Sequence, residues 1–475
     1  MRTELLPRVN GALVALSLTL CFDGCVSSGI RDDLAAVRSF AHVERVADVD
    51  GEVDDDGVAA DVHEVLRRPL DADAAVRIAL VNNRELRASL RELGIARGRL
   101  MQAGLLSNPF IEAELQPERQ TTVEFRVEWD IASLLLAPMR AGAARAALDA
   151  ERLAAAGAVI ALGYEVRDAF YGVLAAEEQL AVAQRQLDAL AAARDAARAL
   201  ADAGNLRALD VAVRDAAFEQ ERIRVAEREL SALVAREKVQ RLLGLHGVET
   251  SWSTTGPLPP VPRDGTEDEH LERRAIEASL ELRALQSRMT ASARRAGLAR
   301  AEGVIPELLV DVHALIGDAT DTDTGSVAFG AGIGLRLPVF DQGRGLVAEY
   351  EAELGAHYER YVGLAIDIRS SARETRARVA SARMRARHYA AVVLPARQRV
   401  VDQALLQNNA MNLSVFQLLD ALRDRQLAEM DAIATRREYW SAAAAREALL
   451  AGKRVESAMR TTRGDTNERA SAGEH

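Results

Sequence analysis

Two stretches of this sequence are patterned as helices too long for any small globular domain to bury. One covers about residues 139–203 and would extend about 95 Å at 1.5 Å per residue. Its counterpart covers about 345–407. Helices of that length belong to a coiled coil or an elongated helical barrel. The composition agrees: alanine, arginine, leucine and glutamate dominate, and aromatic residues make up only 4%, the usage of long paired helices. Alanine lets backbones approach closely, and Arg and Glu supply the wet faces.

The two long helices sit in two blocks that resemble each other. Asn108-Pro109-Phe110 and Val304-Ile305-Pro306 each precede a short strand-like stretch. Ala137-Pro138 and Leu337-Pro338 close those β regions. Gly204 breaks the first long helix, and the stretch 408–413 breaks the second. Leu243-Gly244 and Ala451-Gly452 end the blocks. Markers recurring in one order about 200 residues apart indicate a single large duplication, not a short solenoid period. Each block then reads helix, two strands, very long helix, turn, helix. The first helix runs over about 71–106, with Asp71 as its N-cap. The expected boundaries are a first repeat at 70–246, a Pro-rich linker at 247–266 holding Pro257, Pro259, Pro260 and Pro262, and a second repeat at 267–452. An acidic segment at 25–69, with Asp48, Asp50, Glu52, Asp54, Asp55 and Asp56, and a tail at 453–475 are expected to be disordered.

The strands carry the membrane argument. Residues 122–131 alternate strictly: Val123, Phe125, Val127, Trp129 and Ile131 share one face, and Thr122, Glu124, Arg126, Glu128 and Asp130 share the other. Residues 327–337 repeat the pattern, with Val327, Phe329, Ala331, Ile333, Leu335 and Leu337 on the apolar face and Gly330, Gly332, Gly334 and Arg336 opposite. A soluble half-buried strand alternates in the same way, but about ten residues is also the length a tilted membrane strand needs. Trp129, near one end, suits an interfacial aromatic. The Gly-x-Gly-x-Gly run lies at period two inside a strand, so it is no phosphate loop; small residues on a lumen face or close backbone approach explain it. Partner strands fall near 110–116 and 307–316. Four strands cannot close a membrane barrel alone, so the chain has to oligomerise to hide its edges; three copies would supply twelve.

The N-terminus reads as an address. Arg2 and Arg8 flank a basic region, an apolar run over 11–21 follows, and Phe22-Asp23-Gly24-Cys25 ends it. That run has signal-peptide length and is too short to span a bilayer. Its end resembles the lipobox of bacterial lipoproteins, which implies a signal peptide at 1–24 and acylation (palmitate included) of Cys25; plain secretion with incidental cysteines is the competing reading. Cys21 and Cys25 are the two cysteines, so residues 26–475 can hold no disulfide framework or cysteine metal site. The net charge of −11 argues against nucleic acid as a partner. The eight histidines are scattered, without His-x-x-x-His metal spacing, and no Walker loop, Gly-x-Ser-x-Gly or Cys–His pair occurs. An enzyme reading has no motif to stand on, and neither a cofactor nor a metal site is expected.

This element order resembles the TolC-type outer-membrane efflux family over about residues 70–452. Ala79-Leu80-Val81-Asn82-Asn83-Arg84-Glu85-Leu86 is similar to the family's opening helix. Leu335 to Gly343, reading Leu-Arg-Leu-Pro-Val-Phe-Asp-Gln-Gly, is similar to its strand exit, and Ser414 to Ala421 to its helix restart. The resemblance implies a mostly α fold with a small β part: a trimeric, 12-stranded membrane β-barrel continued by a long periplasmic α-helical barrel. Val26 after Cys25 then favours the outer membrane, with the body extending into the periplasm. The implied partners are two further copies, a periplasmic adaptor (membrane fusion protein), an inner-membrane pump and outer-membrane lipid.

The resemblance also assigns residues. Gly204, Asn205 and Leu206 at the first hairpin tip, and Asn408, Met411, Asn412 and Leu413 at the second, would face the adaptor. Asp210 and Asp420 would form the entrance gate and set its selectivity. Phe125, Val127, Trp129, Phe329, Ile333 and Leu335 would face lipid. The family's Tyr-x-x-Gly at the second tip is Asn408 to Met411 here, one gate acid is Gln417, and one basic position is Leu413. Local structure offers its own explanation of the same residues: Gly204 and Asn205 as a helix end and cap, Ser414 with Gln417 as a capping box, and the aspartates at dipole-favoured helix starts. The competing function class is a non-channel periplasmic coiled-coil spacer or adaptor lipoprotein. Drug, metal-ion, solvent and protein export would all use the same duct, so the sequence names no cargo.

Overall fold

The computed structural model describes residues 26–47, 49, 55–117, 121–263, 270–317 and 326–455. Its elements are α1 (Val26–Ala41), α2 (Asp55–Leu66), α3 (Ala72–Asn82), α4 (Arg84–Gly104), β1 (Phe110–Pro117), β2 (Thr121–Asp130), α5 (Ala132–Asp202), α6 (Ala208–Leu243), α7 (Leu271–Ala278), α8 (Leu280–Glu302), β3 (Glu307–Gly317), β4 (Ser326–Arg336), α9 (Arg344–His388), α10 (Leu394–Asn409) and α11 (Val415–Leu450). Among these residues, no helix is long and apolar enough to cross a membrane.

The expected single helix over 71–106 is two. Asn83 ends α3 and starts α4: its side chain accepts the Leu86 N–H at 2.8 Å, satisfying one of the orphan donors of a helix start. The same break precedes the second strand pair, where the Ser279 side chain accepts the Leu282 N–H at 3.2 Å. Each break is braced by the end of another helix. Asn82 Nδ2 donates to the carbonyls of Leu243 at 2.9 Å and Gly244 at 3.1 Å, and Asn83 Nδ2 donates to Leu242 O at 2.8 Å. In the second block Leu280 N–H donates to Gly452 O at 2.9 Å. The asparagines of the Ala79–Leu86 motif therefore tie a helix break to the C-terminal carbonyls of α6.

Helix α5 has 71 residues, about 105 Å, and is the spine against which α4, α6, α8 and α11 pack. It begins earlier than the sequence suggested, and Pro138 does not close the β region. Asp130 Oδ1 accepts the Ala132 N–H at 2.9 Å and starts the helix there, so Pro138 falls inside it, unable to return a bond to the Leu134 carbonyl. The second long helix is not continuous over 345–407. A π-helical turn at Tyr389–Val393 separates α9 from α10, just before Pro395, whose ring excludes the regular contact one turn back.

The segment expected to be disordered at 25–69 contains α1 and α2. Asp33 on α1 is fully buried, and the guanidinium groups of Arg97 and Arg152 bond it at 2.7 and 2.5 Å. Two cations around one carboxylate offset its desolvation, and Leu34 and Val37 join the main core. Residues 247–266 do more than link. Trp252 is buried and stacks on Phe170 with centroids 6.2 Å apart. The Leu258 carbonyl accepts from Arg436 at 3.0 Å, and the Pro259 carbonyl accepts from Trp440 at 2.9 Å. This belt straps α5 to α6 and α11 around a core centred on Phe170, Leu70 and Leu243. Of the tail at 453–475, Lys453 is tied to Glu281 at 2.5 Å; residues 456–475 lie outside the described residues.

Candidate functional site

The strands form one antiparallel sheet in the order β1-β2-β3-β4. Register decides the chemistry of its faces. Val127 pairs with Ile111 on one side and Val312 on the other, Phe125 with Ala113 and Ala314, and Val123 with Leu115 and Ile316. Trp129 pairs with Val310, which pairs onward with Ile333; Leu335 lies opposite Leu308, and Phe329 opposite Ala314. Because side chains alternate, all these residues share one face. Nothing among the described residues covers it: Phe329 is 81% exposed, Ile333 75% and Ile111 69%, with Phe125, Val127, Trp129 and Leu335 exposed as well. A contiguous apolar surface of that kind needs a non-aqueous neighbour. The Trp129 indole N–H donates to Ser107 O at 2.8 Å, holding the ring at the end of the sheet where β2 gives way to α5.

The opposite face is mostly polar, although Phe110, Leu309 and Leu315 lie on it too. Arg126 bonds Glu124 at 2.8 Å and lies 3.9 Å from Glu112. Glu124 sits directly across from Glu114, and Glu128 from Asp311. His313 and Asp311 are hydrogen-bonded at 3.0 Å and lean over β4. There Gly330 pairs with His313 and Gly332 with Asp311. A Cβ on Gly330 would overlap the His313 ring, and one on Gly332 would overlap the Asp311 carboxylate. Gly330 and Gly332 are thus a clearing for the neighbouring strand's polar side chains, a role the sequence run alone did not disclose, while Gly334 lies beside Leu309.

At the far end of the helices are the two tips. Gly204 (φ +76) and Asn205 are exposed, with Leu206 half-buried. At the second tip Met411 (φ +61) and Asn412 are exposed, and Asn408 and Leu413 are half-buried, joined by Asn408 Nδ2 donating to Leu413 O at 2.9 Å. Ser414 and Gln417 form a capping box. Asp210 is paired with Arg207 at 2.9 Å and is the third residue of α6, as Gln417 is of α11. Asp420 lies one turn further into α11, exposed, so the two aspartates do not occupy equivalent places. The hairpins touch through Arg214, whose guanidinium stacks 4.1 Å over the Phe416 ring. Cys25 lies outside the described residues.

An apolar-faced four-stranded sheet continued by paired helical hairpins defines a class. The fold is that of TolC-type outer-membrane channel proteins. Its sequence is 23% identical over 358 residues to the cobalt-zinc-cadmium resistance protein CzcC of Cupriavidus metallidurans, covering 75% of this chain and 84% of that protein. A membrane protein from Pseudomonas aeruginosa superposes with a TM-score of 0.68 at 22% identity, over 80% of this chain and 93% of the other. The CmeC outer-membrane channel of Campylobacter jejuni does so with 0.66 at 13% identity, over 85% and 89%. No protein-family model matches the chain.

Proposed function

We propose that this protein is the outer-membrane exit duct of a tripartite efflux or secretion system, working as a homotrimer and doing no chemistry of its own. The observation that carries this reading is the sheet: one uncovered apolar face, one charged face, and unpaired edges at β1 and β4. Backbone groups in a bilayer need partners, and three copies joined edge to edge would give twelve strands with every edge satisfied. Phe125, Val127, Trp129, Phe329, Ile333 and Leu335 would then meet lipid, and Glu124, Arg126 and Asp311 would line water. The long hairpins would form the periplasmic tunnel, with Asp210 and Asp420 at its entrance. An adaptor would meet the tips and an inner-membrane pump would feed the duct.

In this reading residues 1–24 are removed on export and Cys25 is acylated, placing the anchor just ahead of α1. The helix–strand–strand–helix–turn–helix order on both sides of residues 247–266 is a tandem duplication. CzcC is named for cobalt, zinc and cadmium resistance, which supports divalent cations as one cargo class.

The test is conductance of the purified full-length protein in planar bilayers. Discrete channel steps are expected, together with an oligomer that resists dissociation in detergent until heated. A protein that never conducts and runs as a monomer in mild detergent would sink the duct and return the coiled-coil spacer.

A further inference from the structure

The two tips close with the same backbone device and different residues. At the first, Asn205 N–H donates to Leu200 O and Gly204 N–H to Ala201 O, both at 2.8 Å. At the second, Asn412 N–H donates to Gln407 O and Met411 N–H to Asn408 O, both at 2.9 Å. Both are Schellman turns, with Gly204 and Met411 at the left-handed position. Glycine adopts that backbone freely. In methionine the Cβ is driven against the following carbonyl oxygen. Among the described residues, His42 and Met411 are the non-glycines with positive φ. Met411 is 95% exposed, so no packing among the described residues compensates the strain. Strain held at an exposed position points from the outlier to a use.

A second observation indicates the chemistry of that use. Residues 403–419 hold no charged side chain, the longest such run in a chain that is 28% charged. Leu405 and Leu406 are exposed beside Met411, and the polar groups around them are amides and a hydroxyl. Depletion of charge around an exposed methionine matches the composition of a protein–protein interface core. The first tip differs: Arg207 and Asp210 put an ion pair there.

We propose that the second tip is the specificity-determining anchor of the docking surface, with Met411 inserting into an uncharged, apolar pocket of the periplasmic partner protein. The left-handed backbone projects the side chain clear of the hairpin, and the thioether chain fills an irregular pocket well. The surrounding amides bond the rim. No charged residue lies within 403–419, and Arg214 of the neighbouring hairpin is engaged over the Phe416 ring, so docking at Met411 does not depend on ionic attraction. This rests on the duct reading, in which the tips point away from the membrane.

The experiment places a photo-cross-linking benzoylphenylalanine at Leu406 of the full chain in producing cells, with residue 411 as Met, Met411→Leu, Met411→Gly or Met411→Glu. One cross-linked periplasmic protein, identified by mass spectrometry, is expected. Its yield falls about tenfold or more with Gly or Glu, as for loss of a buried anchor, and stays within about twofold with Leu. Raising salt from about 0.05 to 0.5 M in membrane suspensions leaves the yield unchanged, since charge screening has nothing to act on. Purified Met411→Gly melts no lower than the parent. Equal yield with Gly, loss of yield at high salt, attachment only to lipid, or no attachment overturns the proposal. A melting temperature lowered in the Gly variant overturns it too, assigning Met411 to folding. Bilayer conductance of the parent separates the two readings: a conducting protein whose capture ignores Met411 ends the anchor alone, and a silent one ends the duct.

Discussion

At the scale of single residues, close approach matters more than side-chain chemistry. Gly330 and Gly332 exist in β4 because His313 and Asp311 occupy the space a Cβ would take. Gly330→Ala should therefore destabilise the sheet by about 1–3 kcal/mol, the range for overpacking, and His313→Ala in the same chain should restore most of that loss. The measurement is the heating temperature at which the detergent-stable oligomer dissociates, for the two single variants and the double. Additive losses would show that the clash is relieved elsewhere. The sequence displayed the period-two glycines but not their cause, because the pairing of Gly330 with His313 becomes visible only once the β3–β4 register is set. Asp33 was illegible for the same reason. Its partners Arg97 and Arg152 lie 64 and 119 positions away, and the acidic run at residues 48–56 dominated the local composition, so a segment held by a buried carboxylate read as solvated chain.

At the scale of elements, helix ends divide into those that support the fold and those that are free. Gly244 and Gly204 both sit at positive φ. A Cβ on Gly244 would lie 2.8 Å from the Asn82 carbonyl oxygen, whereas one on Gly204 would meet nothing within 4 Å. Replacing either with alanine incurs the left-handed cost of about 1–2 kcal/mol, so Gly204→Ala should lose no more than that in a urea titration of oligomer dissociation. Gly244→Ala should lose at least about 1 kcal/mol more, because the α3–α6 junction must also open. Equal losses would remove the junction from the account. Periodicity and turn residues revealed the strands to within about one residue, the tip at Gly204 and the helical character of both long segments. The cap at Asn83 and the π-helical turn before Pro395 stayed hidden. Asn83 looked like one polar residue in a helix pattern until its Leu86 bond was in view, and a proline can bend a helix in several ways that hydrophobic spacing does not distinguish.

At the scale of the whole molecule, the proposed barrel has one face for lipid and one for ions. Per copy, the polar face of the sheet carries Glu112, Glu114, Glu124, Glu128, Asp130, Glu307 and Asp311 against Arg126 and Arg336; Arg126 is already shared between Glu112 and Glu124, and Arg336 is bonded to Glu307. The acids at Glu114 and Glu124, and at Glu128 and Asp311, are paired directly across strands, so their fields add instead of cancelling. Three copies would repeat that excess around a single lumen, and rings of carboxylates concentrate cations and repel anions. The open duct should accordingly be cation-selective: with a KCl gradient across a planar bilayer, the reversal potential should shift toward the potassium equilibrium value. The preference should weaken as salt rises from about 0.1 to 1 M, since the screening length shortens from about 10 to 3 Å. Glu128→Gln with Asp311→Asn should move the reversal potential toward zero, because it removes one of the two cross-strand acid pairs while the hydrogen-bonding shape stays similar. Anion preference in the parent, or a reversal potential indifferent to these substitutions at low salt, would mean that the charged face of the sheet does not line the conduction path. The lipid-facing assignment of Phe125, Phe329 and Ile333 would fall with it, because the register places the two sets of residues on opposite faces of the same strands.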